Sequence, residues 1–234
     1  MAGEQDRAKV AAASRAVERL VRPGLSLALG TGSTAAEAVR AIATRFPSVR
    51  FRCVASSRAT EDLARSLGLE IRPLAAEDRF DLMIDGADEV TPDLALTKGG
   101  GGALLREKLL AHLSREVAIV VDPSKLVARL GERHPIPVEV VPFARPVLER
   151  ELADDGYAVR LRRRPDGGVF ATDNGNELLD LTPPRPLDVP AAAEERLKSH
   201  LGVVEVGLFV GYAHRLFVGH PDGRVDERAA PAPP

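Results

Sequence analysis

The repeated succession of a short apolar run and a polar cluster is the feature of this sequence that most restricts its fold. Four such runs, residues 25–29, 80–84, 94–97 and 116–121, are each followed directly by a cluster of glycine, hydroxyl, acidic or lysine residues. Short apolar runs that alternate with helical patterns predict an α/β domain with a mainly parallel sheet. Because such sheets bind ligands at the carboxyl ends of their strands, we expect the four clusters to share one crevice.

Glycine and proline delimit the other elements in this part of the chain. Pro23-Gly24 ends the first predicted helix, and Gly68 ends the third. The predicted helices cover residues 8–21, 35–43, 58–67 and 103–112. Two further strands are predicted at residues 50–55 and 69–74.

After Gly131 the chain is punctuated by prolines, and short strands with one or two helices predict a small α+β companion domain. The predicted elements are a strand at 138–141, a helix at 147–154, a hairpin of 157–163 with 169–172, a strand at 178–181 and a helix at 191–200. Strands at 203–210 and 216–218 are predicted to return to the main sheet, and the tail from Arg228 is predicted to fray. The expected fold is therefore a Rossmann-like α/β domain, with its mainly parallel sheet flanked by helices (residues 1–130 plus 205–234), and an α+β domain (131–204).

The bulk composition excludes several classes of function. With 44% hydrophobic and 28% charged residues and a net charge of −2, the chain has the composition of a soluble globular protein without a polybasic surface. We therefore expect neither a nucleic-acid partner nor a membrane partner. The lone Cys53 cannot form an intramolecular disulfide, and no signal peptide or membrane-length apolar run is recognisable, which favours a cytoplasmic location.

The distribution of histidine, cysteine and serine argues against metal binding and against hydrolysis by a nucleophilic side chain. The five histidines are scattered without metal-ligand spacing, so the sequence predicts no metal site and no cofactor. No Gly-x-Ser-x-Gly elbow and no Cys/His couple is present, which disfavours hydrolytic nucleophiles. The basic cluster at residues 160–164 precedes Pro-Asp-Gly-Gly and is interpreted as a solvated hairpin or turn.

The run Lys98-Gly99-Gly100-Gly101-Gly102 leads into a predicted helix that contains Glu107. Glycines let the backbone approach a ligand closely, and a helix N-terminus offers free N–H groups to an anion. A lysine, an anion-binding backbone and a carboxylate thus occur within a few residues. The alternative is a flexible loop before an ordinary surface helix.

The segment Gly30-Thr31-Gly32-Ser33-Thr34 lies between a predicted strand and a predicted helix. Such a loop can bind phosphate through N–H groups and hydroxyls, although it matches neither a Walker loop nor the full dinucleotide fingerprint. N-capping of the helix is the alternative, but it explains only one of the three hydroxyl residues.

The segment Asp85-Gly86-Ala87-Asp88-Glu89 places carboxylates at the end of the apolar strand at residues 80–84. This is the position at which open α/β sheets bind ligands. The alternative is a turn, since Asp-Gly is typical of turns, with Glu89 in an ion pair or a cap.

These three motifs, in this order and at this approximate spacing, resemble those of the type A ribose-5-phosphate isomerase family. Four further segments, at residues 122–125, 137–140, 172–176 and 206–209, also resemble the family, so the likeness covers nearly the whole chain. The resemblance implies an aldose–ketose isomerase of the non-oxidative pentose phosphate pathway. It also implies that D-ribose 5-phosphate and D-ribulose 5-phosphate are interconverted through an enediolate without a metal, and that the chain forms a homodimer.

By resemblance, Glu107 is the base that moves the proton between neighbouring carbons. The reaction also needs a partner for the enediolate oxygen, for which Lys98 is the candidate, and an acid/base for ring opening, for which Asp85 is the candidate. Asp88 is expected to bind sugar hydroxyls or to orient Lys98. The expected substrate-binding residues are Thr31, Gly32, Ser33, Thr34, Asp85, Gly86, Ala87, Asp88, Lys98, Gly99, Gly100, Gly101 and Lys125.

The N-terminal helix departs from the family pattern. Family members often have a phosphate-binding lysine there, whereas Lys9 is displaced by about one position and Arg7 is the substitute nearby. Two rival functions remain. One is a sugar-phosphate sensor, which usually carries a preceding DNA-binding motif. The other is a related-fold enzyme: a sugar-phosphate deaminase, a lactonase or a CoA transferase.

Overall fold

A computed structural model describes residues 2–230 of the chain, which divide into two compact units. The first unit comprises residues 2–87, 106–126 and 211–230, and the second comprises residues 88–105 and 127–210. The division at 130/131 and 204/205 stays a prediction. It differs from the units described here mainly at residues 88–105, whose strands pair with a strand of the second unit.

Six α-helices and thirteen strands are found in residues 2–230. The helices are α1 (Ala2–Leu20), α2 (Ser33–Arg45), α3 (Arg58–Ser66), α4 (Leu104–His112), α5 (Arg145–Asp154) and α6 (Pro190–Lys198). The strands are β1 (Ser26–Leu29), β2 (Arg52–Ala55), β3 (Phe80–Asp85), β4 (Glu89–Val90), β5 (Leu96–Thr97), β6 (Ser114–Val121), β7 (Ile136–Val140), β8 (Ala158–Leu161), β9 (Glu177–Thr182), β10 (Val203–Val206), β11 (Leu208–Phe209), β12 (Arg215–Gly219) and β13 (Val225–Ala229).

The first unit is built on a six-stranded sheet with the order β13-β12-β6-β3-β1-β2. All neighbouring strands are parallel except for the edge pair β12 and β13. The central strands are buried along most of their length, as expected when apolar side chains cover both faces of a parallel sheet. This confirms the predicted mainly parallel sheet, including the return of residues 216–218 as β12.

The alanine-rich helix α1 packs closely on this sheet, mainly against β12 and β6. Ala12, Ala16 and Val17 of α1 belong to the same buried cluster as Phe217 of β12. A β-carbon at Gly219 would lie only 2.0 Å from the carbonyl oxygen of Ala8, so glycine is required for this approach. Small residues on both elements therefore set the distance between helix and strand.

The second unit contains two antiparallel sheets, with the orders β10-β7-β9-β8 and β11-β5-β4. Its core is formed by apolar side chains of β7, β9, α5 and α6, among them Val138, Leu148, Leu181 and Leu197. The prediction that residues 203–210 return to the main sheet is wrong. Instead, β10 pairs with β7 and β11 pairs with β5.

Two further sequence predictions are wrong and one is confirmed in part. Residues 69–74 form only one isolated bridge, between Ile71 and Cys53, because Pro73 has no N–H to continue a ladder. The predicted hairpin of residues 157–163 with 169–172 is present at its tip, where Arg163 forms an antiparallel bridge with Val169 and the N–H of Phe170 donates to the carbonyl oxygen of Arg162. Farther from the tip, β8 pairs with β9 instead. Arg228 is not frayed but belongs to β13, opposite Leu216, whereas residues 231–234 lie outside the described part of the chain.

The fold class is confirmed: a mainly parallel sheet with helices forms one unit, and a smaller α+β arrangement forms the other. Within residues 2–230, no helix combines the length and the apolar character needed to cross a lipid bilayer.

Candidate active site

The carboxyl ends of three adjacent strands of the first unit lie at the same edge of its sheet. β1 pairs with β3 and β3 pairs with β6, all in parallel, so the segments that follow them leave on the same side. Three of the four predicted polar clusters are therefore placed at one sheet edge. The fourth was wrongly assigned to this sheet, because the two-residue strand β5 that precedes Lys98 pairs antiparallel with β4 and β11.

The loop after β1 presents a helix N-terminus without a side-chain cap. Gly32 is the N-cap residue of α2, with φ 99°, and no side chain bonds to the first turn. Gly32 and Ser33 are exposed, and Thr31 Oγ1 lies 2.6 Å from Ser56 Oγ. The N-capping alternative is therefore wrong for these hydroxyls. The first backbone N–H groups of a helix have no intrahelical acceptor, and the positive end of the helix dipole favours an anion there.

Asp85, the last residue of β3, is fully buried and held in one orientation. Its Oδ1 accepts hydrogen bonds from the backbone N–H of Thr31 at 3.0 Å and of Gly86 at 2.7 Å. Gly30 lies against the same carboxyl group and leaves no space for a β-carbon. The carboxylate of Asp85 is thus tied to the loop that leads into α2.

Glu107 lies in the first turn of α4 and is only 2% exposed. A carboxylate in the first turn of a helix is favoured by the helix dipole. The neighbouring Lys108 is also buried. The arrangement holds a carboxylate at the start of a helix in a position that is largely shielded from water.

Lys125 ends a single 3-10 turn, Pro123–Lys125, that follows β6. The buried Asp122 begins this turn and accepts hydrogen bonds from Ser124 and Gln5. Burial pushes the pKa of Asp122 upward, but these hydrogen bonds outweigh burial and lower the pKa overall. Asp122 is therefore charged at neutral pH and fixes the turn that carries Lys125.

In the second unit, the glycine run after Lys98 forms a turn rather than a flexible loop. The N–H of Gly102 donates to the carbonyl oxygen of Gly99 at 2.9 Å, and both glycines have positive φ. The N–H of Gly100 donates to Asp88 Oδ2 at 2.8 Å. Lys98 is buried, with its Nζ 5.5 Å from the centre of the Phe209 ring.

Glu89 has a structural role in the second unit, but it binds a loop and does not cap a helix. This fully buried carboxylate accepts backbone hydrogen bonds from Gly131 at 2.7 Å, Arg133 at 2.6 Å and His134 at 2.9 Å. Three donors from one loop fix the path of residues 131–134.

Sequence reasoning missed Arg162 and Asp180. The interpretation of residues 160–164 as fully solvated is wrong for Arg162, whose side chain is 15% exposed against 77% for Arg160. Arg162 contacts Asp180 and the carbonyl groups of the glycine turn. Only the register of β8 against β9 brings the two charged residues together, and the sequence alone does not give that register.

Arg7 and Lys9 of α1 each have a partner, one distant in the chain and one on the same helix. Arg7 Nε donates to the carbonyl oxygen of Pro221, and Lys9 Nζ lies 3.7 Å from Asp6 Oδ1. Across residues 2–230, no group of three or more His, Cys, Asp or Glu side chains is arranged to hold a metal ion.

Comparison with known proteins gives one consistent result. The family model described as ribose 5-phosphate isomerase A (phosphoriboisomerase A) matches residues 52–223. The ribose-5-phosphate isomerase A of Chloroflexus aurantiacus is 49% identical over 216 residues, which cover 91% of this chain and 90% of the relative.

Two solved structures have the same fold over nearly the full length. Ribose 5-phosphate isomerase from Plasmodium falciparum superimposes with a TM-score of 0.91 at 33% identity, covering 96% of this chain and 98% of the other. A D-ribose-5-phosphate isomerase in complex with phospho-erythronic acid superimposes with a TM-score of 0.89 at 32% identity, covering 94% and 97%. The predicted resemblance is confirmed: the chain belongs to the ribose 5-phosphate isomerase A family.

Proposed function

We propose that this chain interconverts D-ribose 5-phosphate and D-ribulose 5-phosphate, in the non-oxidative pentose phosphate pathway, with Glu107 as the base. The observation that carries the proposal is the burial of Glu107 in the first turn of the helix that follows the glycine run. The match to isomerases over nearly the full length of the chain supports the same reaction.

The reaction moves one proton between adjacent carbons. Glu107 removes the proton from C2 of the open-chain aldose, which gives a cis-enediolate, and returns a proton to C1. Transfer of the C2 hydroxyl proton to the oxygen of C1 completes the ketose. A base for this step must be unprotonated at neutral pH yet basic enough to take a carbon-bound proton, and burial tunes a carboxylate toward this balance.

The enediolate develops negative charge on the oxygens of C1 and C2. Lys98 and the backbone N–H groups of Gly99 and Gly101 stabilise this charge, since the N–H of Gly100 is bonded to Asp88. Asp88 holds the turn through the Gly100 N–H and hydrogen-bonds sugar hydroxyls. A charge-stabilising group acts best when it is already oriented in the free enzyme, as the hydrogen-bonded turn is.

The substrate is mostly cyclic in solution, so the ring must open first. Asp85 transfers the proton between the anomeric hydroxyl and the ring oxygen, with Gly86 and Ala87 lining the sugar. The N-terminus of α2, with Thr31, Gly32, Ser33 and Thr34, binds the phosphate, and Lys125 adds a positive charge.

The test is a metal-free assay of ribulose 5-phosphate formation after EDTA treatment, comparing the wild type with Glu107→Gln. We expect the variant to lose about 10²–10⁴-fold in kcat, the usual contribution of general base catalysis, while it still binds substrate. Glu116→Gln is the matched control, because Glu116 is partly exposed in a surface ion pair with Arg215 and should keep full activity.

Three other outcomes would correct the proposal. Full activity in Glu107→Gln would show that another group is the base. Tight binding of ribose 5-phosphate without turnover in the wild type would indicate a sensor. For the reverse reaction in D2O, we expect deuterium at C2 of ribose 5-phosphate, because the proton on Glu107 can exchange with solvent before it is returned. Complete retention of the substrate hydrogen in every turnover would favour a direct hydride shift over the enediolate.

We also propose that the chain forms a homodimer and acts in the cytoplasm. Phe143 and Leu201 are each 95% exposed and lie in neighbouring segments of the second unit, since Val141 N–H donates to the carbonyl oxygen of Gly202. Large exposed apolar side chains that cluster in this way are typical of protein interfaces. A fully buried, unpaired Cys53 accords with a reducing compartment.

The dimer is tested by measuring the mass in solution with multi-angle light scattering. Phe143→Asp should shift the wild-type dimer toward monomer, whereas Val189→Asp, at another exposed apolar residue of the same unit, should not. A monomeric wild type would contradict the proposed dimer.

A further inference from the structure

We propose that Arg162, fixed by Asp180, is a positioning residue that holds the glycine turn Gly99–Gly102 in its catalytic conformation. The inference rests on the proposed role of this turn in stabilising the enediolate. Nothing in the family motifs at residues 98–108 points to the hairpin in which Arg162 lies.

The guanidinium of Arg162 contacts two successive carbonyl groups of the turn. Its Nη1 donates to the carbonyl oxygen of Gly99 at 2.8 Å and to that of Gly100 at 3.1 Å. Its Nη2 and Nε form a fork on the two carboxylate oxygens of Asp180, which is buried. One side of the guanidinium thus binds a carboxylate that is fixed in β9, and the other side binds the turn.

The turn is held from both of its hydrogen-bonding sides. Asp88 accepts from the N–H of Gly100, and Arg162 donates to the carbonyls on either side of that N–H. A cation on a peptide oxygen polarises the whole peptide unit, so the N–H groups of Gly100 and Gly101 become stronger donors. Arg162 therefore both orients the turn and strengthens its donors.

The guanidinium of Arg162 also lies over the ring of Phe170, which packs beside Gly102 of the turn. The Arg162 guanidinium lies 5.9 Å from the centre of the Phe170 ring, and a β-carbon at Gly102 would collide with that ring at 2.5 Å. Lysine cannot replace arginine in this arrangement, because an ammonium group has neither the planar fork for Asp180 nor the face for Phe170.

The arginine lies where the turn faces open space. Gly100, Asp88, Arg162 and Asp180 line one cleft of the second unit. Arg160 lines the cleft as well and reaches Asp180 Oδ2 at 3.3 Å, but within residues 2–230 it forms no hydrogen bond with the turn. Arg160 is therefore a matched control for Arg162, because both arginines contact Asp180 but Arg162 also bonds the turn.

The experiment compares Arg162→Ala and Arg162→Lys with the control Arg160→Ala, after circular dichroism has shown that each variant is folded at the assay temperature. We expect both Arg162 variants to lose about 10²-fold in kcat, as misplaced catalytic groups do, with little change in KM for ribose 5-phosphate. Millimolar guanidinium chloride should restore part of the activity of Arg162→Ala. Arg160→Ala should resemble the wild type.

A purely structural role predicts a different pattern. Wild-type kcat in folded Arg162→Lys, or an equal loss in Arg160→Ala, would overturn the inference. If Arg162→Ala does not fold, Asp180→Asn provides the second variant, with the same expected fall in kcat, and an unchanged kcat there would also overturn it.

The inference can fail independently of the proposed function. Normal activity in the Arg162 variants, together with an inactive Glu107→Gln, would contradict the positioning role alone. If the wild type lacks turnover, binding of phospho-erythronic acid is the readout. Weaker binding to Arg162→Lys than to Arg160→Ala would then support positioning, and equal binding would reject it.

Discussion

The carboxyl carbon of Asp85 occupies the space beside Gly30 so completely that a β-carbon at residue 30 would lie 2.1 Å from it. Gly30 comes directly after β1 and Asp85 is the last residue of β3, and these two strands are parallel neighbours. The N–H of Gly30 donates to the carbonyl oxygen of Ile84 at 3.0 Å. Glycine is required at residue 30 because of this close approach, since the φ of Gly30 is not in the left-handed region. The first glycine of the Gly-Thr-Gly motif is therefore needed to leave space for the Asp85 carboxylate of the neighbouring strand β3.

We expect Gly30→Ala to move the Asp85 carboxyl group and to reduce kcat by about 10²-fold, the effect of a displacement of about 1 Å. Overpacking of this kind also costs about 1–3 kcal/mol of stability. Steady-state kinetics and urea unfolding measure the two effects. Gly3→Ala is the control, since Gly3 lies in α1 and its β-carbon would meet nothing closer than 4.0 Å. Wild-type kinetics in Gly30→Ala would contradict the proposed role of Asp85.

Gly102→Ala should be far more damaging than Gly175→Ala, although both glycines have a φ of 82°. The backbone strain of alanine in this region costs about 1–2 kcal/mol at either site. A β-carbon at Gly102 would also lie 2.5 Å from Phe170, whereas nothing lies within 4 Å at Gly175. The free energy of unfolding of both variants, measured in urea, separates collision from strain. Adding Phe170→Leu should recover part of the stability of Gly102→Ala, and no recovery would mean that strain alone accounts for the loss.

The sequence was sufficient to predict the parallel sheet and most of its strands. The predicted strands at residues 80–84 and 116–121 contain the continuous apolar runs 82–84 and 117–121, and such runs favour a buried parallel strand. Glycine and proline then marked where the helices end. The same local patterns failed at residues 69–74, where Pro73 prevents a longer strand, and at residues 203–210, where pairing partners distant in the chain decided the outcome.

Site residues could be predicted only where one short sequence motif contains both the functional side chain and the residues that position it. Asp85, Lys98 and Glu107 stand in such motifs, and their roles follow from the family resemblance. Arg162 and Asp180 are 18 residues apart and meet only through the register of two antiparallel strands. A run of arginines before a Pro-Asp-Gly-Gly turn is usually solvated, so no local signal distinguished the buried member.

A similar long-range contact explains two segments that carried the family resemblance without an evident role. Glu139 of β7 is fully buried, and its Oε1 accepts hydrogen bonds from the side chains of Thr172, Asn174 and Asn176. The 137–140 and 172–176 segments are therefore joined by the hydrogen bonds of Glu139. They fix the turn that begins β9, the strand on which Asp180 lies.

Cys53 should be inert in the native protein. It lies in β2 with no exposed surface, and burial raises the pKa of its thiol to about 12. Since the thiolate is the reactive form, we expect no reaction with Ellman's reagent at pH 8, and one thiol per chain after unfolding in guanidinium chloride. Ser66→Cys, at an exposed residue of α3, is the positive control and should react at once. Rapid reaction of native Cys53 would mean that β2 opens readily.

The buried carboxylate of Asp78 closes the loop before β3. Arg72 donates to both of its oxygens, at 2.8 and 2.5 Å, and the backbone N–H of Ala75 donates at 2.7 Å. The Arg72 hydrogen bonds, followed by that of Ala75, lower the pKa of Asp78 from 3.8 to about 2. The charged form is therefore the one that stabilises the fold.

A group whose pKa is lower in the folded state contributes stability above its unfolded pKa and loses it as the pH falls. For Asp78 this contribution is complete above about pH 5, declines through pH 3.8 and is lost near pH 2. We expect Asp78→Asn to cost about 1–3 kcal/mol at pH 7, because it weakens charged hydrogen bonds. The difference from the wild type, measured by urea unfolding, should stay constant from pH 8 to 5 and shrink below pH 4. Asp62→Asn, at an exposed residue of α3, should show neither effect, and a difference for Asp78→Asn that grows on acidification would contradict the assigned ion pair.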